Sequence, residues 1–419
     1  MTDRPFPIAD VRAAFPSLSI TDAGRPRVYF DNPAGTQVPT RVIERATRAY
    51  VEQNANLGGA FETSRRASAL VEEAHEAVAR FYNAKSAKEI VFGQSMTALT
   101  YHISRCLSRG WTSSDEIILS RMDHDANVAP WLQAAEDRGV TVRWLDFDPD
   151  TYEFPDRAID DLLSSRTRLV AVGYASNCTG TINDVTAICA KARAAGALSY
   201  IDAVQFAPHG VIDVEAVGCD FLVSSAYKFF GPHIGVLFGR EPILEAMFAY
   251  QVRPAQQGLP KRFELGTGSR EGMAATLGAL EYIASLAGST PGAAEPTREA
   301  LAKGMQALAD HEQGLTLRLI EGLKQVRGLT VRGITSANAM HRRVPTVSFT
   351  LERHHPDALA KGFADDNIFV WSGHNYAIEP VGRMGLLDKG GVLRVGLAHY
   401  NTAGEVDALL QRLDRMTTA

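Results

Sequence analysis

The chain has 419 residues, 45% of them hydrophobic and 22% charged, a globular mixture that excludes a collagen-like, membrane-spanning or largely disordered protein. A formal net charge of −5 with no block of Lys or Arg excludes nucleic acid and anionic membrane as principal partners and leaves a small molecule. The length exceeds what one compact core usually reaches, so a large domain and a smaller one are expected.

The first residues, MTDRPFPIADVRAAF, include acidic side chains and no apolar run of signal-peptide length, so a cytoplasmic location is expected. From about Glu89 to Phe238 the short apolar runs EIVF, EIIL, TVRWL, RLVAVGY, LSYID, DFLVS and IGVLF alternate with longer helical patterns. That alternation predicts crossover units and a mostly parallel sheet with helices on both faces. IGVLF follows DFLVS after a short connection, which predicts that this one strand runs antiparallel. Within this region Cys106, Cys178, Cys189 and Cys219 are widely spaced without a CxxC, so neither a metal site nor a disulfide framework is indicated. They read as reduced, mostly buried thiols.

Beyond Gly272 the pattern turns to long helices with Ala and Leu at helical spacing through about Lys324. The stretch SLAGSTPGAAEPTREA, rich in Gly, Pro, Ser and Thr, interrupts them as a loop. Strand-like runs LTVRG, TVSFTL, NIFVWS and LRVGL follow, and an amphipathic helix from about Ala403 to Met416 ends the chain. These form a second, smaller α/β layer.

Ligands of open parallel sheets sit beyond the carboxyl ends of the strands, and polar residues gather there. LSYIDAVQ puts Asp202 and Gln205 past one strand, where the Asp serves either as a turn cap or as a ligand carboxylate. SSAYKFFGP ends the next strand in Ser225, Tyr227 and Lys228. A lysine among apolar neighbours loses its proton more readily and becomes a nucleophile able to form a Schiff base. Pyridoxal 5'-phosphate requires such a lysine together with a carboxylate on its pyridine nitrogen. FGQSMTALT reads as a strand end, a polar turn and a helix start, where Ser95, Met96 and Thr97 can meet a phosphate or simply cap the helix. His124 follows another strand, either as a structural residue or as a flat ring stacked on a cofactor, and Asn177 ends a further one.

On these residues the chain resembles the class V branch of pyridoxal-phosphate enzymes, specifically the cysteine desulfurase and selenocysteine lyase-like group. The resemblance runs from YFDNPAGTQVP to LAHYNTAGEVDAL, with DAVQ and SSAYKFFGP as its most specific motifs. It implies the type I fold of these transferases, a large domain with a mostly parallel seven-stranded sheet plus a smaller C-terminal α/β domain. The corresponding organisation is an N-terminal segment 1–25 packing with the small domain, a large cofactor domain 26–285 and a small domain 286–419. It also implies Lys228 as the cofactor-bearing lysine and proton carrier, Asp202 on the pyridine nitrogen, His124 on the ring, and Asn177 and Gln205 near the phenolic oxygen. The phosphate would lie against Ser95, Met96, Thr97, Ser225 and Tyr227, with Tyr227 standing where desulfurases commonly carry a His. Thr267, in RFELGTGSREG, matches a position that reaches the phosphate of a neighbouring subunit, which implies a homodimer with shared active sites. Arg394, in LRVGLAHYNT, would bind the substrate carboxylate, with Ala34 and Asn375 beside it.

One departure bears on function. Desulfurases of this group carry a persulfide-forming cysteine after a Gly-His-His type run, whereas this chain reads WSGHNYAIEP, with Asn375 and Tyr376. Cys178 adjoins Asn177 and reads as a core thiol. NANLGGAFETS also lacks the His- and Arg-bearing run of desulfurases. The expected activity is β-elimination of a sulfur substituent without an enzyme persulfide, with Tyr376 as a proton donor or as packing. An aminotransferase or epimerase on the same scaffold is the alternative, and a non-catalytic cofactor binder a remote one. A dinucleotide site at GTGSREG is disfavoured, because its third Gly falls one position late and no strand-helix unit begins there.

Overall fold

Except for the edge run TVRWL, the apolar runs between Glu89 and Phe238 bury both of their faces, which requires helices above and below the sheet they form. In the computed structural model, which describes residues 6–288 and 291–418, they are β1 (Ile90–Gly93), β2 (Glu116–Ser120), β3 (Thr141–Leu145), β4 (Thr167–Gly173), β5 (Leu198–Asp202), β6 (Phe221–Ser225) and β7 (Gly235–Gly239). Their order is β1-β7-β6-β5-β4-β2-β3. Period-two alternation sends Ile118, Val170 and Ile201 into one core and Ile117, Leu119, Leu169 and Tyr200 into the other. The first core packs under α1 (Thr40–Glu52), α2 (Glu62–Tyr82) and the later helix Arg270–Ser285; the second packs under α3 (Met96–Ser108) and α4 (Ala129–Arg138).

Only β7 is reversed within this sheet, antiparallel to both β1 and β6, because the connection from β6 is too short for a crossover. The carboxyl ends of the six other strands therefore lie along one edge.

After the helix Arg270–Ser285, Ser289 and Thr290 of the expected loop lie outside the described residues, and α5 (Arg298–Leu323) begins where Thr297 accepts a hydrogen bond from Ala300 N. A second, antiparallel sheet follows, β8 (Leu329–Arg332), β9 (Thr346–Leu351), β10 (Trp371–Gly373) and β11 (Val392–Gly396), in the order β8-β9-β11-β10. It is covered by α5 and by α6 (Ala403–Thr418), whose Leu319, Leu323, Leu409 and Leu413 pack on Val347, Phe349, Leu393 and Val395.

The run NIFVWS corrects the single strand expected there. Ile368–Phe369 pairs in parallel with Val28–Tyr29, whereas Trp371–Gly373 pairs with β11, so the chain changes partner at Val370. Near the N-terminus, Arg12 on the helix Ile8–Ala13 donates to Tyr400 O at 2.8 Å and pairs with Glu405 at 2.9 Å, tying this segment to the C-terminal part. No helix among the described residues is long and apolar enough to cross a membrane.

One glycine sets the position of a helix start. A Cβ at Gly235 of β7 would overlap the Ser95–Met96 peptide, so the turn leading into α3 is seated directly against the neighbouring strand. Gly235→Ala is expected to lower the unfolding free energy by roughly 2 kcal/mol through this overpacking, measured by urea denaturation. An unchanged midpoint would show that the turn moves freely.

Candidate active site

The register of the sheet places Gly173 of β4 beside Asp202 of β5, and Asp202 beside Val223 of β6. The ends of three neighbouring strands thus lie at one place, with β6 running two residues further to Ser225. A cavity of about 560 Å³ opens there, the size of a small-molecule site. From the sheet edge it is lined by Met96, Thr97, His124, Asn177, Asp202 and Gln205, and by Ser225, Tyr227 and Lys228 from the turn after β6. Ala34, Asn375, Tyr376 and Arg394 complete it from the N-terminal loop and the second sheet.

Lys228 is buried, at 8% exposure, with its ammonium donating to Ala34 O at 2.9 Å and to Pro33 O. Burial, reinforced by the charge of Arg394, pushes its pKa down to about 7, against the pull of Asp31 and Asp202. Asp202 moves the other way. Burial pushes it up to about 6, opposed by a hydrogen bond of 2.9 Å from Val204 N and by the charge of Lys228. His124 is held neutral, pushed down to about 3 by burial and by the nearby charges of Lys228 and Arg394. Its Nδ1 accepts from Ala126 N at 3.0 Å, which leaves the ring proton on Nε2.

Arg394 is more deeply buried than a surface ion pair would be, at 4% exposure. Nη1 donates to Asn177 O at 3.2 Å and Nη2 to Asp31 at 3.5 Å, while Nε has no partner among the described residues. Gln205 donates to Thr346 Oγ1 at 2.8 Å and Asn177 to Asn375 O at 2.8 Å, so both amides also bind the two sheets together.

The loop that departs from the desulfurase pattern is held in a strained form. Asn375 and Tyr376 both have left-handed backbones, φ 53° and 57°, a conformation uncommon for non-glycine residues and rarer still for a bulky ring. Asn177 holds the carbonyl of Asn375, and Asp125 N donates to Tyr376 O at 2.7 Å. The Tyr376 ring consequently stacks on His124, centroids 5.5 Å apart at 19°.

Two expected residues lie elsewhere. The Ser95 hydroxyl accepts from Ala98 N at 3.1 Å as the N-cap of α3 and does not line the cavity, and Thr267 is exposed in the loop before Ser269, outside the lining formed by its own chain. Sequence reasoning missed Asp123, Asp125, Tyr101 and Trp371, all of which line the cavity. Asp123 is pushed up to about 7 by burial and accepts from Gly173 N at 2.8 Å and Asn127 at 2.7 Å. Its position next to His124 at a strand end was the available signal. Tyr101 lies one helical turn after Thr97, whereas Trp371 carries no local signal.

All four cysteines are free and buried, and none lines this cavity. Cys178 packs with Ala377, Val381, Leu386 and Val392, and burial pushes its thiol up to about 11.

The order of strands, the buried lysine and the match of residues 28–409 to the Aminotransferase class-V family model decide the relationship. The chain belongs to the aminotransferase class-V family. An aminotransferase-like protein of Gibberella zeae is 33% identical over 99% of each chain, and a cysteine desulfurase of Pectobacterium carotovorum is 32% identical over 98% of each. Among solved structures, the apo cysteine desulfurase of Thermococcus onnurineus NA1 covers 100% of both chains at 25% identity and TM-score 0.86. CsdA, a cysteine desulfurase of Escherichia coli, covers 98% of both at 27% and 0.82. Class V enzymes depend on pyridoxal 5'-phosphate, and this chain is an enzyme of that kind with the type I fold. The site fits the cofactor. Asn177 Oδ1, Asn375 Oδ1 and Arg394 Nε are buried without hydrogen-bond partners around one cavity that also holds an amine of lowered and a carboxyl of raised pKa.

The raised pKa of Asp202 has a consequence for the apoprotein. Its carboxyl goes from an ordinary 3.8 when unfolded to about 6 when folded, so ionisation opposes folding fully above pH 6 and not at all below about pH 4. Asp202→Asn is expected to stabilise the apoprotein by roughly 3 kcal/mol at pH 8, and progressively less as pH falls towards 4. Urea unfolding across that range measures it, and a pH-independent effect would overturn the burial of an ionised Asp202.

Proposed function

We propose that the enzyme is a β-eliminating carbon-sulfur lyase that acts on a cysteine-like amino acid and forms no persulfide of its own. The observation that carries this reading is a cavity bordered by Tyr376, with no thiol among the described residues lining it.

When bound, pyridoxal phosphate supplies an electron sink that acidifies the α C–H bond of an amino acid. The lysine that carries it is Lys228. With a pKa near 7, the amine is substantially neutral at physiological pH and accepts the α proton on Nζ. Asp202 would hold the charge of the pyridine nitrogen, and neutral His124 would face the cofactor ring. Asn177 and Gln205 would serve the phenolic oxygen, while Met96 and Thr97 at the start of α3, with Ser225 and Tyr227, would hold the phosphate. Arg394 grips the substrate carboxylate with its under-used guanidinium, with Ala34 beside it, and Asn375 lines the substrate side of the cavity with an acceptor oxygen. The phenol of Tyr376 then donates a proton to the departing sulfur, a role open to a hydroxyl that cannot become a persulfide.

With L-cysteine and S-alkylcysteines the holoenzyme is expected to release pyruvate, ammonia and the free thiol or sulfide, and mass spectrometry after turnover to find no competent persulfide on Cys106, Cys178, Cys189 or Cys219. Arg394→Lys should lower kcat/KM on the order of a hundredfold, with the cofactor spectrum retained. Amino transfer to a keto acid without loss of the β substituent would establish the aminotransferase reading instead, as would inversion at Cα the epimerase one.

A homodimer with shared sites is also proposed. Tyr50, Val51, Phe61 and Leu265 are large apolar side chains left exposed, and Arg270 bonds Asn56 at 3.4 Å, joining the segment of Phe61 to that of Leu265 and Thr267. An isologous contact there would bring Thr267 to the partner's phosphate. Sedimentation of the holoenzyme should give a dimer. A fully active monomer would dispose of the shared site.

A further inference from the structure

The acids around the cavity are accounted for with one exception. Asp31 pairs with Arg394, Asp123 is held by Gly173 N and Asn127, and Asp202 accepts from Val204 N. Asp125 lines the cavity half-buried, and among the described residues no cation lies within ion-pair distance of it and no donor bonds its side chain. A second acceptor lines the same cavity. Asn375 uses its amino group on Gly373 O at 3.1 Å, which leaves Oδ1 buried in the cavity wall without a partner, in a side chain only 9% exposed. The two segments touch, since Asp125 N donates to the carbonyl of Tyr376.

Aromatic rings border the cavity as well. Trp371 and Tyr376 line the cavity yet remain 57% and 67% exposed, which places them at its mouth. A free carboxylate, an unpaired amide oxygen and aromatic faces are the groups that together recognise an ammonium ion, which offers three donors and a charge attracted to ring faces. None of them suits an anionic side chain, and an alkyl group would leave the Asn375 oxygen unpaired.

We propose that the mouth of the cavity is a subsite for a second cationic centre, so that the preferred substrate is an amino acid whose side chain ends in an amine. This assignment rests on the reading above in which Arg394 takes the α-carboxylate. Asp125 is the specificity-determining residue, Asn375 the second acceptor, and Trp371 and Tyr376 the aromatic walls. A substrate with an amine beyond its sulfur would keep that charge paired until the carbon-sulfur bond breaks, and the amine would leave with the thiol.

Three matched compounds test it on the holoenzyme: S-(2-aminoethyl)cysteine, the near-isosteric neutral S-propylcysteine, and the anionic S-(carboxymethyl)cysteine. Both kcat/KM for pyruvate release and the apparent Kd from the change in cofactor absorbance are read. The amine is expected to be favoured over the propyl compound by about tenfold in each, and the carboxylate to be the poorest. Asp125→Asn should bring the amine-to-propyl ratio close to one and improve the carboxylate relative to both. A wild-type ratio near one, or a ratio unmoved by Asp125→Asn, would overturn the subsite and leave Asp125 as an acidic residue of the short helical turn Asp125–Asn127. Absence of pyruvate from all three would overturn the lyase reading alone, because the ratio of spectral Kd values still decides the subsite.

Discussion

Lys228 and Arg394 are buried in one cavity, and the placement of their compensating acids shapes most of what surrounds them. Burial lowers the pKa of both cations, and the charge of Arg394 adds to the effect on Lys228. Asp31 and Asp202 act in the opposite sense, without restoring Lys228 to its ordinary value. A buried charge that is incompletely paired is unfavourable to the fold, and sites of chemistry are where such groups accumulate. The helices and second sheet that enclose the cavity therefore stabilise the chain enough to tolerate a poorly satisfied centre.

The enclosure depends on the two sheets meeting. Gln205 reaches Thr346, Asn177 reaches the carbonyl of Asn375, and Arg394 reaches back to Asn177 O and Asp31. Each bond runs between segments more than a hundred residues apart. The side chains proposed to contact cofactor and substrate thus double as ties between the parts of the chain. Because some of their hydrogen-bonding atoms remain unused, a ligand can enter without breaking the ties already made.

The segment Gly373–Tyr376 shows how a local departure from a family pattern can be stabilised. Two successive left-handed residues without a glycine between them are costly, and such strain persists only where the surroundings hold it. Here the bonds from Asn177 and from Asp125 N do so. The result is an aromatic ring stacked on His124 where desulfurases carry a cysteine, while Cys178 lies in an apolar cluster where thiolate formation is unfavourable. The proposed substrate selection and sulfur chemistry thereby meet in one short loop and in the Asp125 turn that it touches.

The strands of the large sheet, the reversal of β7 and the lysine and aspartate at neighbouring strand ends were all legible in the sequence, because they depend on local patterns of apolar residues and on the length of a connection. The absence of a cysteine after Gly373 was equally plain. What the sequence left open was decided by contacts between distant segments. NIFVWS divides because its two halves find different neighbours, Val28–Tyr29 and β11. Ser95 spends its hydroxyl on the helix it begins, and a cap cannot be distinguished from a ligand by residue type. Asp123 and Asp125 stand two positions apart, yet one is held by the backbone of β4 and the side chain of the other has no hydrogen-bond or ion-pair partner among the described residues. Trp371 and Tyr376 reach the cavity only because β10 and the loop after it are held to the loops beyond the first sheet. Periodicity and residue type act over a few positions, so they determined the elements and the chemistry at their ends; which side chains share a cavity, and which of their atoms remain unsatisfied there, is a property of three-dimensional packing alone.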